Sequence, residues 1–203
     1  MFGGGTFNHI SCHLALAAPA FGETAKRLHR MFQDNGTLES QLVLTKMADS
    51  YSSLFTNADV EKFVVDVLLP DDSVKAIVMN AAICDFEMDN PSDQARLSSS
   101  QDYQVTLKGI QGKILSLIKK RRPDIIVAGF KTTHGATKVE QVAKAFASMH
   151  NSGLDMVLAN DLDSRNNILC HKDLTIQQGS REFLLEQLVE HTIIDSNMIA
   201  WGL

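Results

Sequence analysis

The chain predicts an α/β fold in three layers, a mostly parallel sheet with helices on both faces. Three observations carry this expectation. Apolar runs of strand length alternate with segments whose apolar residues recur at helical spacing, the order that builds a parallel sheet. Three of those runs end in polar strings: Ala81-Ala82-Ile83-Cys84-Asp85-Phe86, Ala128-Gly129-Phe130-Lys131-Thr132-Thr133 and Leu154-Asp155-Met156-Val157-Leu158-Ala159-Asn160-Asp161. At 44% hydrophobic over 203 residues, the chain can bury one proper core. Ligands of open parallel sheets bind at the carboxyl ends of the strands, so the three strings point to one site.

The chain opens Met1-Phe2-Gly3-Gly4-Gly5-Thr6. Glycines let a backbone approach a phosphate closely with its N–H groups exposed. A strand normally precedes such a loop, and here it is a stub or lies upstream; a loose terminus is the alternative. Leu14, Ala17, Ala18, Phe21, Ala25, Leu28, Met31 and Phe32 predict a helix, stopped by Asn35-Gly36. Residues 41–45 read as a short strand and 46–59 as a polar connection. Phe63 to Leu68 reads as a strand, with a short helix as the alternative, and Val74 to Ala82 as a buried strand. Met88 to Gln104, with Asn90-Pro91 and a serine triplet, predicts a loop or flap.

Leu107, Ile110, Ile114, Leu115 and Ile118 predict a helix closed by Arg122-Pro123, and Asp124 to Phe130 a strand. Val139 to Met149 predicts a helix, Asp155 to Ala159 a strand, and residues 167–170 and 174–176 a small antiparallel pair. Phe183 to Ile193 lines the last helix, followed by an apolar tail with Trp201 that caps the core or joins a partner chain. No repeat, low-complexity stretch or linker divides the chain, so residues 1–203 are expected to form one Rossmann-like nucleotide-binding domain.

The net charge of −5 argues against nucleic acid, whose binders show a basic face. The one dense basic run, Lys119-Lys120-Arg121-Arg122, sits at a helix end, where it compensates the dipole or contacts a phosphate. Cys12, Cys84 and Cys170 have neither disulfide-framework nor zinc spacing, so no metal site is expected and a reducing cytoplasm suits them. No apolar run reaches the roughly 18 residues that span a bilayer, and no signal peptide is visible.

The strings, in this order and spacing, resemble those of the phosphopantothenate–cysteine ligase family, the synthetase half of the bifunctional coenzyme A flavoprotein. Members carry a Gly-Gly-Thr-like loop, an Ala-Ala-Val-x-Asp-Tyr string, a Val-Gly-Phe-Ala-Ala-Glu-Thr string and a Leu-Asp-x-Ile-x-Ala-Asn-Asp string. The match runs over about residues 74–193, and more loosely from residue 3. The resemblance implies a reaction in which CTP or ATP, with Mg²⁺, activates the carboxylate of 4'-phosphopantothenate as an acyl-nucleotide. Cysteine then displaces the nucleotide to form an amide. It also implies a homodimer and, because no flavin half is visible, a separate flavin-dependent decarboxylase as partner enzyme.

Carried over by position, Gly3, Gly4, Gly5 and Thr6 would face phosphates, Ala81, Ala82 and Asp85 would lie beside the nucleotide, Phe130 would pack on it, and Ala159, Asn160 and Asp161 would close the pocket. For Asp85 and Asp161 the alternative is helix capping after a strand, since Asp is a favoured N-cap. The departures concern the chemistry. In the family's Ile-Ser-Asn-His segment, Cys12 stands at the Asn position, within Ile10-Ser11-Cys12-His13. The Lys-Ile-Lys-Lys flap becomes Arg96-Leu97-Ser98-Ser99, leaving Arg96 as its one cation, and two family lysines fall near Ser148 and Ser152. Candidate catalytic groups are therefore Arg96, Cys12 and Lys131, with His9, His13 and His134 as further possibilities. The competing expectation is a catalytically degenerate nucleotide- or metabolite-binding protein of the same fold. A dinucleotide-dependent oxidoreductase fits badly, because no strand–GxGxxG–helix unit is visible.

Overall fold

A computed structural model describes residues 1–89, 96–110 and 114–200, the side chain of Ala200 excepted. In chain order the elements are β1 (Phe2–Gly3), β2 (Phe7–Ser11), β3 (Leu14–Ala17), α1 (Glu23–Asn35), β4 (Val43–Leu44) and α2 (Asn57–Phe63), which runs on as a π-helical turn over Val64–Leu68. Then follow β5 (Ala76–Met79), β6 (Phe86–Met88), β7 (Leu107–Gly109), α3 (Ile114–Arg121), β8 (Ile126–Thr133), α4 (Lys138–Ser152), β9 (Met156–Asp161), β10 (Asn167–His171), β11 (Ile176–Gln178) and α5 (Arg181–Ala200).

Seven strands form one sheet in the order β11-β10-β9-β8-β5-β1-β4. The five from β9 to β4 are parallel, and β10 and β11 add an antiparallel edge at the β9 side. Side chains of a strand alternate between faces, and this sequence makes both faces apolar. Ile77, Met79, Val127, Val157, Ala159, Ile168 and Cys170 pack in one core with residues of α2, α3 and α4. Val78, Ile126, Ala128, Met156, Leu158 and Leu169 pack in the other with α1 and α5. The sheet is thus the middle of three layers. Fully buried leucines such as Leu28, Leu184 and Leu188 each contribute about 1.5–3 kcal/mol of burial free energy there.

The helix ends follow from local chemistry. Thr56 and Asp59 form a capping box at the start of α2, as Thr137 and Glu140 do for α4, satisfying N–H groups that a helix leaves unpaired. Gly36 (φ 71°) and Gly153 (φ 68°) close α1 and α4 in the left-handed conformation that glycine adopts without steric cost.

The fold class and the antiparallel pair are as the sequence predicts, and four local expectations are corrected. The stretch from Leu14 to Ala17 is a strand of the two-stranded sheet β2–β3, not the start of α1; Pro19 and the left-handed Gly22 separate the two. Phe63 to Leu68 is helical. Leu107 to Gly109 pairs with Phe86 to Met88 as a second two-stranded sheet, so the following helix is shorter than its apolar spacing suggests. The basic run is not merely a solvated face. Lys119 Nζ bonds Asp155 at 3.0 Å and the Ile125 carbonyl at 2.8 Å, and the Arg122 guanidinium clamps the carbonyls of Leu69, Asp71 and Val74. The expected flap lies partly, and Trp201 wholly, outside the described residues.

Candidate functional site

The strand order reverses around β1: β4 lies on one side of it and β5 on the other, the kind of switch point at which open α/β sheets bind ligands. A cleft of about 400 Å³ opens beside it, at the carboxyl ends of β5 and β8. The segment Ala81 to Asp85, which leaves β5, forms one wall. Phe130, Lys131 and Thr132 of β8 form the floor, Asn57 and Glu61 of α2 approach from one side, and Ser148 and Ser152 of α4 from the other. The cleft therefore brings together Ala81, Ala82 and Asp85 from one stretch of sequence and Phe130 and Lys131 from another. Phe130 is half-buried and presents an aromatic surface. Lys131 is the one cation of the lining among the described residues, where it has neither a hydrogen-bond nor an ion-pair partner.

The glycine segment has a different environment. Gly3, Gly4, Gly5 and Thr6 are buried beneath the protein's own chain. A methyl group on Gly4, whose φ is +97°, would lie 2.2 Å from Thr45 Oγ1, and one on Gly5 would lie 1.9 Å from the Ala18 carbonyl oxygen. The Gly4 carbonyl accepts from Ala82 N–H at 2.9 Å, and the Gly5 carbonyl from the Thr45 hydroxyl at 2.8 Å. These glycines let three segments of chain approach one another; a phosphate is not needed to explain them.

Ala159, Asn160 and Asp161 continue β9 beside Lys131, Thr132 and Thr133 of β8. Ala159 is fully buried in the core. Asn160 Oδ1 accepts from the Thr132 hydroxyl at 3.4 Å, which places it at the cleft's margin. Asp161 accepts six hydrogen bonds, from Thr133 Oγ1, the N–H groups of Gly135, Ala136, Asp163 and Ser164, and Ser164 Oγ. The backbone N–H groups of Ser164 and Ala136 foremost hold its carboxyl far below the usual carboxylate range. Its side chain is spent on joining β8 to the approach of α4 and to the turn before β10; it caps no helix, because Thr137 caps α4.

Of the remaining candidates, His9, Cys12 and His13 lie on or between β2 and β3, Arg96 in the segment between β6 and β7, and His134 in the turn after β8. Cys12 is exposed in the turn between β2 and β3, with its Sγ 3.9 Å from His13 Nδ1. Leu97 N–H donates to His13 Nε2 at 3.3 Å, so the tip carrying Cys12 touches the segment carrying Arg96. Asn8 Nδ2 bonds the Phe86 carbonyl at 2.7 Å and ties the two small sheets together. Cys84 and Cys170 are buried, and burial pushes the Cys170 thiol up to about 11. Among the described residues no three His, Cys, Asp or Glu side chains gather to hold a metal ion. The sequence reading missed Asn57 and Glu61 as cleft residues. The capping box at Thr56 was the available signal that a helix, and not a loop, delivers them.

Residues 45–184 match the model of the DNA/pantothenate metabolism flavoprotein C-terminal domain. The chain belongs to this family. A relative from Thermococcus kodakarensis, the coenzyme A biosynthesis bifunctional protein CoaBC, is 30% identical over 86 residues, which are 42% of this chain and 21% of that protein. The chain thus spans about a fifth of that relative's length. Among solved structures, the DNA/pantothenate metabolism flavoprotein from Streptococcus pneumoniae is similar with a TM-score of 0.79 at 20% identity, covering 94% of this chain and 95% of that one. A Cab2 variant in complex with phosphopantothenate-cysteine is similar with a TM-score of 0.66 at 11% identity, covering 99% and 86%. These structural likenesses fix the fold. Within the family match fall Ala81, Ala82, Asp85, Phe130 and Lys131, the part of the cleft that the sequence predicts.

Proposed function

We propose that the chain is a nucleotide-dependent phosphopantothenate–cysteine ligase of coenzyme A biosynthesis, and that the cleft at the ends of β5 and β8 holds the nucleotide. The observation that carries this reading is the cleft itself: in a domain of this family, an aromatic surface (Phe130), an unpaired cation (Lys131) and a wall built from Ala81, Ala82 and Asp85 converge on one space of nucleotide size. The co-structure of the Cab2 variant with phosphopantothenate-cysteine supports the choice of substrates.

In this reading the carboxylate oxygen of 4'-phosphopantothenate attacks the α-phosphorus of CTP or ATP and pyrophosphate leaves. The amine of cysteine then attacks the acyl carbon, the nucleoside monophosphate leaves, and the amine gives up a proton. Lys131, with no protein partner among the described residues to compete for it, stabilises negative charge on the phosphates. Mg²⁺ would arrive on the phosphates and neutralise their charge; it favours oxygen donors, and Asp85 and Glu61 are the carboxylates of the lining that could complete its shell. Asn160 sits at the margin of the nucleotide. Gly3, Gly4, Gly5, Thr6, Ala159 and Asp161 act behind the site, by holding its strands in place. Cys12 and Arg96, on touching segments outside the cleft lining, are the groups assigned to the acyl-transfer step.

The chain is further proposed to act as a single-domain homodimer in the cytoplasm, passing its product to a flavin-dependent decarboxylase. Leu14 on β3, Phe86 on β6 and Leu107 on β7 leave large apolar side chains exposed on the two joined small sheets, the surface a second copy would cover. A monomer mass by light scattering would contradict the dimer. No helix among the described residues is long and apolar enough to cross a membrane.

Pyrophosphate release by the purified chain with Mg²⁺, CTP or ATP, 4'-phosphopantothenate and cysteine tests the ligase. Release that requires 4'-phosphopantothenate is the expected outcome, and the preferred base follows from the same assay. A second reading, nucleotide binding without turnover, is favoured by one observation: Ser148 and Ser152 bring hydroxyls, not cations, to the α4 side of the cleft. Saturable nucleotide binding with no release would select it.

A further inference from the structure

The wall segment from Ala81 to Asp85 keeps one β-bridge, Ala82 against Gly5, and beyond it strand pairing no longer fixes the chain. It is held by a closed ring of hydrogen bonds to two polar side chains from distant parts of the chain. Thr6, fully buried, donates its hydroxyl proton to Asn57 Oδ1 at 2.5 Å and accepts from Cys84 N–H at 2.8 Å. Asn57 Nδ2 donates to the Cys84 carbonyl at 2.7 Å. Behind the ring, Thr6 N–H bonds the Ala82 carbonyl at 3.0 Å and Ala82 N–H bonds the Gly4 carbonyl at 2.9 Å. Both backbone polar groups of Cys84 are thereby satisfied by side chains, and the next residue is Asp85.

The ring admits one orientation of the Asn57 amide. Turned over, it would set Oδ1 against the Cys84 carbonyl, acceptor against acceptor, and leave the Thr6 hydroxyl proton without its 2.5 Å partner. Only a side chain with one donor and one acceptor of this length closes it. Asn57 is also the first residue of α2, preceded by its cap Thr56, so the capping box does not depend on its side chain. The amide is consequently free of a helix-capping duty and lines the cleft.

We infer that Asn57 is a positioning residue of the nucleotide site: its amide fixes the Ala81–Asp85 wall, and so the place of Asp85, against the bound nucleotide. The inference rests on the nucleotide reading of the cleft. Asn57→Ala opens the ring, and Asn57→Asp keeps the shape while facing the Cys84 carbonyl with an acceptor.

The test measures nucleotide affinity by titration calorimetry, the KM and kcat of pyrophosphate release, thermal midpoints, and hydrogen exchange at the Cys84 amide in the free protein. Both variants should weaken CTP or ATP binding at least tenfold and raise the nucleotide KM by a similar factor, with kcat changed much less. The thermal midpoint should stay within a few degrees of wild type. The Cys84 amide should exchange at least tenfold faster, while amides within β5 keep their rates. Thr6→Val combined with Asn57→Ala should bind no worse than the weaker single variant, because the two act through one ring. Nucleotide affinity within twofold of wild type in Asn57→Ala, or unchanged exchange at Cys84, would overturn the inference. A wild-type chain that binds neither nucleotide would overturn the reading of the cleft itself, and the first titration reveals that before any variant is compared.

Discussion

Replacing Gly5 by alanine asks whether the glycine segment serves a ligand or the fold. The added methyl group would sit 1.9 Å from the Ala18 carbonyl oxygen, 2.8 Å from Met47 Sδ and 2.9 Å from Ala20 N. Met47 can swing aside, but the Ala18 and Ala20 atoms are backbone; the Ala18 oxygen lies more than an ångström, and the Ala20 nitrogen about half an ångström, inside ordinary contact. Relieving the overlap moves the chain after β3 and Gly5 apart, which strains the bond between them, Ala18 N–H to the Thr6 carbonyl, and the next one along the Gly5 segment, Thr6 N–H to the Ala82 carbonyl, both 3.0 Å. Overpacking of this kind costs about 1–3 kcal/mol, and each lost backbone bond about 1 kcal/mol. Together the destabilisation is on the order of 3–5 kcal/mol, which lowers the thermal midpoint of a domain this size by roughly 10 °C. Gly36→Ala is the control: φ is +71° but nothing lies within 4 Å, so only backbone strain of about 1–2 kcal/mol remains. Calorimetric melting without nucleotide reads both. A Gly5→Ala chain that melts with wild type but no longer binds nucleotide would refute the packing argument and restore the segment as a phosphate loop.

Lys131→Met should weaken nucleotide binding about tenfold, or about 1.4 kcal/mol, and leave the melting temperature unchanged, because Lys131 has no partner to lose among the described residues; equal affinity would remove it from the site. Asp85→Asn should slow pyrophosphate release by roughly tenfold, and an unchanged rate would remove Asp85 from the nucleotide's surroundings. Asp155→Ala should cost about 2–4 kcal/mol in urea unfolding, since the loss of this carboxylate just before β9 strands the half-buried Lys119 ammonium and the Val127 N–H of β8; a loss below about 1 kcal/mol would mean the Lys119 carbonyl contacts suffice. Stability should also fall in mild acid. Burial first, and then His191 with its ring centroid 4.4 Å away, lowers the pKa of His171, against weaker opposing effects of Gln177, Asp173 and Asp195. The unfolded chain therefore takes up this proton more readily than the folded one. The contribution is complete above about pH 6.5 and is lost as pH falls from there through the folded value. Urea midpoints between pH 5 and 8 should show that slope, and His171→Phe should flatten it.

The central strands were legible because each carries an unbroken apolar run: Ile77 to Met79, Ile125 to Ala128 and Met156 to Ala159 feed both cores, as strands buried on two faces must. The small sheets were not. Leu14 and Ala17 fit a helical spacing by accident, and β3, none of whose residues is buried, has no core face to impose a period-2 pattern. The Phe63 to Leu68 run is rich in β-branched residues and reads as a strand until the capping box at Thr56 is weighed against it. Of the site, Ala81, Asp85, Phe130 and Lys131 could be found because they follow apolar runs directly. Asn57 could not, since the bonds that give it a role reach 27 residues to Cys84 and 51 to Thr6. Composition alone could not say whether Gly3 to Gly5 clear room for a phosphate or for the chain, nor that Asp161 turns inward to six donors.

The most direct test of ligation through an acyl-nucleotide follows the carboxylate oxygens. With 4'-phosphopantothenate labelled with oxygen-18 in its carboxylate, attack on the α-phosphorus and aminolysis by cysteine must leave one label in the amide product and one in the nucleoside monophosphate. Mass spectrometry of a single reaction reads both. Label in CMP or AMP is the expected result; label in inorganic phosphate, or no transfer while nucleotide is still bound, would contradict the proposed function.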